Sequence, residues 1–92
     1  MNKTELLEKI SKGADLSRKD AEAALNAFIE TVEESLSEGE KVQITGFGSF
    51  EVRERSERKG RNPSTGEEIL IEAALVPVFR AGRELKEAVK NS

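Results

Sequence analysis

The spacing of hydrophobic residues predicts two helices in the first forty residues of the chain. A short stripe at three- and four-residue spacing consists of Leu6, Leu7 and Ile10, and it ends near Gly13. A second stripe of the same period extends over about five helical turns and ends at Gly39. Its members are Ala21, Leu25, Phe28, Ile29, Val32 and Leu36. The chain therefore begins with a short helix followed by a long one.

Both predicted helices begin with a capping signal, Asn2 before Glu5 and Ser17 before Asp20. Two helices joined by a short connection suggest a helix-turn-helix DNA reader as one possible function. The exposed face of the second helix argues against that function, because its carboxylates would repel phosphates. These carboxylates belong to Glu22, Glu30, Glu33, Glu34 and Glu38.

Beyond Gly39 the hydrophobic pattern changes from the helical period to alternation, which predicts β-strands. Val42 and Ile44 alternate with polar residues, a Gly-Phe-Gly turn follows, and Phe50 and Val52 continue the alternation. The pattern indicates a β-hairpin. On its second strand, the residues that point away from the buried face are Glu51, Arg53 and Arg55.

Residues 56–68 contain no apolar side chain except a proline ring, so they cannot belong to a core. A loop of that length in so small a domain is typical of a functional or disordered segment. Residues 69–71 bring the chain back, residues 76–79 form a third core strand, and Gly82 precedes a final amphipathic helix. The predicted order is two helices, three strands and a helix, with an arm projecting between the second and third strands.

The composition excludes several classes of function. The chain has no Cys and no His, which removes disulfides, thiol catalysis, zinc fingers and imidazole general bases. No nucleophile constellation is present either, so we do not expect an enzyme. No apolar run approaches the roughly 18 residues that a membrane span needs, and the N-terminus is charged at once, so we expect neither a membrane helix nor a signal peptide. The reducing cytoplasm fits this composition.

The charge is unevenly distributed along the chain. The whole chain has 15 basic and 18 acidic residues, a net charge of −3, which is the wrong sign for a typical nucleic-acid binder. Residues 41–64, however, have 6 basic and 3 acidic side chains, whereas residues 1–40 have 5 and 10. Since the Debye length is about 8 Å at physiological salt, a local basic surface can act despite a distant acidic one.

A basic cluster of five residues leads into a turn signal at Asn62-Pro63, which Gly66 completes. The cluster consists of Arg53, Arg55, Arg58, Lys59 and Arg61. Guanidinium groups make forked hydrogen bonds to phosphate and fit a minor groove about 6 Å wide. A solvated charge run in a mobile loop is the alternative interpretation. The DNA-binding interpretation is favoured because the cluster continues in strand register from core-facing residues and ends in a proline that could act as a wedge.

The four aromatic residues also allow two interpretations. They could stack on bases of a single-stranded nucleic acid, or they could pack in the core or in a dimer interface. Their positions on apolar stripes favour packing, and we expect a dimer core that contains Phe28, Phe47, Phe50 and Phe79.

Two long motifs resemble the bacterial histone-like HU/IHF family. The first is Gly46-Phe47-Gly48-Ser49-Phe50-Glu51-Val52-Arg53. The second is Arg58-Lys59-Gly60-Arg61-Asn62-Pro63-Ser64-Thr65-Gly66-Glu67. The resemblance extends without gaps over essentially the whole chain and includes Asn2-Lys3-Thr4-Glu5-Leu6 at its start. The overall pattern and the lack of terminal extensions place the resemblance closer to the HU branch of the family.

The resemblance implies an α+β fold in an intertwined homodimer. The implied fold of each chain comprises two N-terminal helices, a three-stranded antiparallel sheet with a long β-ribbon arm, and a short C-terminal helix. The expected single domain covers residues 1–92. Its parts are a helical dimerisation base at 1–39, a saddle sheet at 40–81 with the arm at 54–74, and the last helix at 82–92.

The resemblance also implies non-sequence-specific binding and bending of double-stranded DNA through the minor groove, with a preference for bent, nicked or distorted forms. Pro63 takes the role of the intercalating arm residue. The implied DNA contacts are Lys3, Arg53, Arg55, Arg58, Lys59, Arg61, Asn62, Pro63, Arg80, Arg83 and Lys86. For Lys86 an equal alternative is that the cation stabilises the C-terminal end of its helix. No metal, cofactor, membrane or small-molecule substrate is implied, and the implied location is the cytoplasmic nucleoid.

Three positions depart from the family pattern. Glu72 replaces a usual proline and should lower the local positive potential, Leu75 replaces a usual basic residue, and Ala81 replaces a proline before Gly82 and should loosen the start of the last helix. A competing hypothesis keeps the same fold but makes the protein an interaction dimer, in which the acidic helices recruit a protein partner and DNA binding is weak.

Overall fold

The structure is a computed structural model that describes residues 1–91, and within them it has three helices and five strands. The elements are α1 (Lys3–Gly13), α2 (Arg18–Ser37), β1 (Val42–Ile44), β2 (Gly48–Arg55), β3 (Arg58–Arg61), β4 (Glu68–Ile71), β5 (Ala74–Ala81) and α3 (Arg83–Lys90). The chain forms two compact units, and the boundary between them follows Glu34, inside α2.

In the first unit, both capping signals act as the sequence predicts. Asn2 has an extended backbone, and its Oδ1 accepts a hydrogen bond from the N–H of Glu5 at 2.9 Å. Ser17 Oγ accepts from the N–H of Asp20 at 3.0 Å. Each side chain satisfies a backbone donor that has no partner within its helix, and this fixes where α1 and α2 begin.

The hydrophobic core of the first unit is small. Among residues 1–91, the buried hydrophobic residues are Leu7 of α1 and Ala21 of α2. The connection between the two helices is closed by a pair of hydrogen bonds, in which Ser11 Oγ donates to the carbonyl of Leu16 and the N–H of Leu16 donates to the carbonyl of Ser11.

In the second unit, β1, β2 and β5 form an antiparallel sheet in the order β1-β2-β5. Phe50 stands opposite Val42 on one side and opposite Phe79 on the other, so these three side chains share one face. The Phe79 ring centroid lies 4.9 Å from that of Phe50 and 5.5 Å from that of Phe47. This apolar face is the one that the alternating pattern predicts.

The turn between β1 and β2 anchors the start of α3. Gly46 has a φ of +86°, and its carbonyl accepts from the N–H of Glu84 at 3.0 Å. The N–H of Gly82 donates to the carbonyl of Phe47 at 2.7 Å. These hydrogen bonds hold the start of α3 against the sheet although Ala81 lacks the restriction of a proline.

The segment at 56–68 differs from the predicted loop, because it includes the strand β3. This strand pairs with β4 in a separate two-stranded sheet, where Gly60 stands opposite Ile69. The third strand of the main sheet is also longer than residues 76–79, since all of β5 pairs with β2. Hydrogen bonding between backbones explains both the presence of β3 and the greater length of β5, because it requires no apolar side chains.

The predicted subdivision follows the order of these elements. The helices α1 and α2 fall within residues 1–39, the strands within 40–81 and α3 within 82–92, although residue 92 lies outside the described residues. The assignment of these segments as a dimerisation base, a saddle and a last helix stays a prediction.

Candidate nucleic-acid interface

The face of the main sheet opposite the phenylalanines bears a cluster of basic side chains beside apolar residues of β5. Because directly opposed residues of antiparallel strands share a face, the register places Arg53 and Arg55 of β2 on the same face as Arg80 of β5. Lys41, the residue directly before β1, reaches this face, where its Nζ lies 3.7 Å from a carboxylate oxygen of Glu51. We call these four residues, Lys41, Arg53, Arg55 and Arg80, the basic face.

Glu51 occupies the middle of the basic face and was not expected to be shielded. Its side chain is only 21% exposed, with Oε1 3.7 Å from Lys41 Nζ and Oε2 3.8 Å from Arg80 Nε. Oε2 is buried and has no hydrogen-bond partner among the described residues. The alternating pattern predicts the face on which Glu51 lies. It does not predict that cations from both neighbouring strands converge on this carboxylate.

The arm is a two-stranded ribbon formed by β3 and β4. In its register, Arg58 stands opposite Ile71, Lys59 opposite Leu70, and Arg61 opposite Glu68. Alternation therefore places Arg58 on one face of the ribbon and both Lys59 and Arg61 on the other. The arm also exposes apolar side chains, since Ile69 and Leu70 are 43% and 56% exposed.

The tip of the arm is closed by hydrogen bonds around Asn62. The N–H of Asn62 donates to the carbonyl of Glu67 at 2.8 Å, and the N–H of Gly66 donates to the carbonyl of Asn62 at 2.7 Å. Asn62 Oδ1 accepts from the N–H of Ser64 at 2.9 Å. Gly66 has a φ of +73°, which favours glycine. This turn leaves the ring of Pro63 exposed at the tip.

Two of the arm cations are held by local contacts. Arg61 Nη1 lies 3.3 Å from the carbonyl oxygen of Gly66 and donates a hydrogen bond to it. Lys59 Nζ lies 3.7 Å from a carboxylate oxygen of Glu68, and both side chains are largely exposed. Exposed ion pairs of this kind are weak, roughly 0–1 kcal/mol. Phosphates could therefore displace Glu68 at little cost.

The remaining predicted contacts lie outside the sheet and the arm. Lys3 belongs to the first unit, where its Nζ donates to Asn26 Oδ1 at 2.8 Å. Arg83 and Lys86 lie on α3, and Arg83 Nε donates to a carboxylate oxygen of Glu87 at 3.2 Å. All three predicted residues are exposed.

Lys41 belongs to the basic face but is not among the DNA contacts expected from the sequence. Its position directly before Val42 was a usable signal, because alternation from a core-facing residue places it on the basic face. The part of the chain that the structure describes contains no group of His, Cys, Asp or Glu side chains arranged to hold a metal ion. The helices within residues 1–91 also lack an apolar stretch sufficient to cross a membrane.

Comparison with known proteins identifies relatives over the whole chain. Residues 1–90 match the family described as bacterial DNA-binding protein. The DNA-binding protein HU of Staphylococcus aureus is 57% identical over 90 residues, which cover 98% of this chain and all of that protein. The DNA-binding protein HU of Streptococcus pyogenes is 56% identical over 89 residues, which cover 97% of this chain and 98% of that protein.

Solved structures show the same architecture. The cocrystal structure of Anabaena HU with DNA has a TM-score of 0.94 and 47% sequence identity, and the match covers all of both chains. HU from Thermotoga maritima has a TM-score of 0.70 and 39% identity, and the match covers 97% of this chain and 98% of that one. These likenesses confirm the α+β architecture of helices, antiparallel sheet and projecting arm.

Proposed function

Because this chain belongs to the bacterial DNA-binding protein family, in which its relatives are HU proteins, we propose that it binds double-stranded DNA without sequence specificity and bends it through the minor groove. The main structural support for this proposal is the arm. A β-ribbon bearing Arg58, Lys59 and Arg61 follows β2, the strand that carries Arg53 and Arg55 of the basic face, and it ends in an exposed proline, Pro63. The match to a DNA-bound HU structure over the full chain supports it.

The cations supply affinity in this proposal, and they carry no sequence information. Lys and Arg side chains displace condensed counterions from phosphates, and the resulting affinity is strongly dependent on salt. Arginines of the ribbon enter the minor groove, where A·T and T·A pairs present the same acceptors and little beyond A·T against G·C can be read. Binding is therefore insensitive to sequence and sensitive to how easily the DNA deforms.

Pro63 supplies the bend. Its ring inserts between base pairs and partly unstacks them, which costs a few kcal/mol per step. DNA that is already nicked, gapped or bent avoids part of this cost and binds better. The hydrogen-bonded turn around Asn62 supports the role, because it holds Pro63 at the end of the ribbon with its ring exposed. Such binding places the protein in the bacterial nucleoid and requires no cofactor.

A second copy of the chain completes the fold in this proposal. Phe28, Phe47 and Phe79 are 40%, 44% and 43% exposed, and Ile44 is 38% exposed. Burial of the exposed apolar area of these side chains would stabilise the fold through the hydrophobic effect. An intertwined homodimer buries them and gives the assembly two arms, one for each side of the duplex.

A binding titration tests the proposal. Affinity for a linear duplex and for the same duplex with a central gap is measured by fluorescence anisotropy over a series of salt concentrations. We expect tighter binding to the gapped DNA at every salt concentration. We also expect the logarithm of affinity to fall linearly with the logarithm of salt, with a slope of about −0.9 for each phosphate contacted. Equal affinity for both duplexes would refute the bending mechanism, and an absence of binding would refute the proposed function.

A further inference from the structure

The arm joins the main sheet through a short interruption in the strand pairing. The β2–β5 ladder ends where Arg55 stands opposite Ala74, and the β3–β4 ladder begins where Arg58 stands opposite Ile71. Two residues separate the ladders on each strand. We call these four residues, Ser56, Glu57, Glu72 and Ala73, the neck. Because both strands contribute the same number of residues, the register continues through the neck and brings Glu57 opposite Glu72.

None of the usual causes of a broken ladder is present at the neck. A β-bulge adds a residue to one strand only, and the equal numbers exclude it. Glycine and proline, the residues that weaken or interrupt strands, are also absent from the four positions. What distinguishes the neck is a carboxylate on each strand at directly opposed positions. Like charges in such a cross-strand pair are destabilising.

The cations next to Glu57 along the same face pair with neither of the two opposed carboxylates. Alternation places Arg55 and Lys59 on either side of Glu57 on that face. Arg55 Nη2 donates to the backbone carbonyl of Glu72 at 3.3 Å, and Lys59 pairs with Glu68 at 3.7 Å. Within residues 1–91, neither Glu57 nor Glu72 takes part in an ion pair, and both side chains are exposed.

We propose that Glu57 and Glu72 are positioning residues whose mutual repulsion opens the ribbon at the neck and makes it the hinge of the arm. The hinge is a property of the free protein and does not depend on DNA. A further consequence rests on the proposed function. Both carboxylates lie on the face that bears Arg55 and Lys59, so they repel the phosphates that those cations attract, and they lower affinity for DNA.

Amide hydrogen exchange in the free, full-length protein tests the hinge. The variants are Glu57→Gln, Glu72→Gln and the double variant, which keep the shape of the side chains and remove their charge. The control is Glu54→Gln, because Glu54 is exposed on the opposite face of the ribbon and stands opposite Leu75 instead of a carboxylate. All variants are first shown to have the melting temperature of the wild type or higher.

We expect each single variant to increase the protection of the backbone amides of β3 and β4 by about 1.5- to 5-fold, the range of a cross-strand charge pair. The double variant should add nothing further, since removal of one charge already abolishes the repulsion. The difference from the wild type should shrink at 1 M salt, where the Debye length is about 3 Å. Protection equal to that of the Glu54→Gln control, or independent and additive effects of the two variants, would overturn the hinge.

The same variants separate the hinge from its consequence for DNA. We expect Glu57→Gln and Glu72→Gln to bind a linear duplex more tightly than the wild type does. Their gain in affinity should exceed that of the control Glu54→Gln. Unchanged affinity in the presence of raised protection would overturn the effect on DNA and leave the hinge in place. Should the wild type bind no DNA at all, the proposed function fails, while the exchange experiment still decides the hinge.

Discussion

Replacement of Gly48 by alanine tests how tightly the sheet packs beneath the basic face. Gly48 is buried at the start of β2, opposite Ala81 of β5. A Cβ atom at this position would lie 2.5 Å from Cζ of Phe79 and 2.6 Å from the carbonyl oxygen of Arg80. The ring of Phe79 could turn away from an added methyl group. The carbonyl belongs to the backbone of β5 and can move only if the strand moves.

The expected loss of stability follows from this geometry. Overpacking of a close-packed site costs about 1–3 kcal/mol, and each kcal/mol shifts the melting temperature of a domain of this size by about 4–8 °C. Gly48→Ala should therefore melt about 5 to 20 °C below the wild type. The assay is thermal unfolding followed by circular dichroism. It is carried out at one fixed protein concentration, because the stability of the proposed dimer would depend on concentration.

Gly13→Ala is the matched control for this experiment. A Cβ at Gly13 meets no atom within 4 Å, and Gly13 is the last residue of α1. Alanine is a better helix former than glycine by up to about 1 kcal/mol, so this variant should melt at the wild-type temperature or above it. If Gly48→Ala had the same melting temperature as Gly13→Ala, the sheet would have room for the methyl group and the expected overpacking would be wrong.

Three further predictions concern the DNA-binding residues and the helix caps. Arg61→Ala should weaken DNA binding and reduce the salt slope by about 0.9 for each phosphate that the variant no longer neutralises; an unchanged slope in anisotropy titrations would show that Arg61 does not bind phosphate. Ser17→Ala removes the N-cap of α2 and should lower the free energy of unfolding in urea by about 1 kcal/mol, whereas an unaltered midpoint would show that the cap contributes nothing. Glu51→Gln removes the carboxylate near Lys41 and Arg80 and should raise DNA affinity and steepen the salt slope; weaker binding would instead indicate that Glu51 holds those cations in place.

The sequence predicts those parts of the fold that depend on local interactions. The caps at Asn2 and Ser17 require only a side-chain oxygen three residues before a backbone N–H, and both form. Alternation from Phe50 correctly separates the apolar face from Arg53 and Arg55, because successive side chains of a strand point in opposite directions. Turn chemistry likewise predicts the tip at Asn62, since proline, asparagine and glycine each favour particular turn conformations of the backbone.

Features that depend on pairing between distant segments are not predictable in this way. The strand β3 contains no apolar side chain, so no hydrophobic period marks it, and it forms because it lies opposite β4 in register. The shielding of Glu51 depends on Lys41, directly before β1, and on Arg80 of β5. The opposed carboxylates of the neck likewise become apparent only when the register is known.

In the proposed mechanism, an exposed proline at the tip of a basic ribbon bends DNA, and the distance between the two ends of a bound duplex measures this bend. A short duplex labelled at both ends with a donor and an acceptor dye is titrated with the wild type and with Pro63→Ala, and energy transfer is measured at saturation. We predict that the wild type brings the ends closer together. Pro63→Ala should bind with similar affinity but shorten the distance less, because its tip no longer unstacks a base step. An end-to-end distance that the wild type leaves unchanged, or that Pro63→Ala shortens to the same extent, would contradict the account.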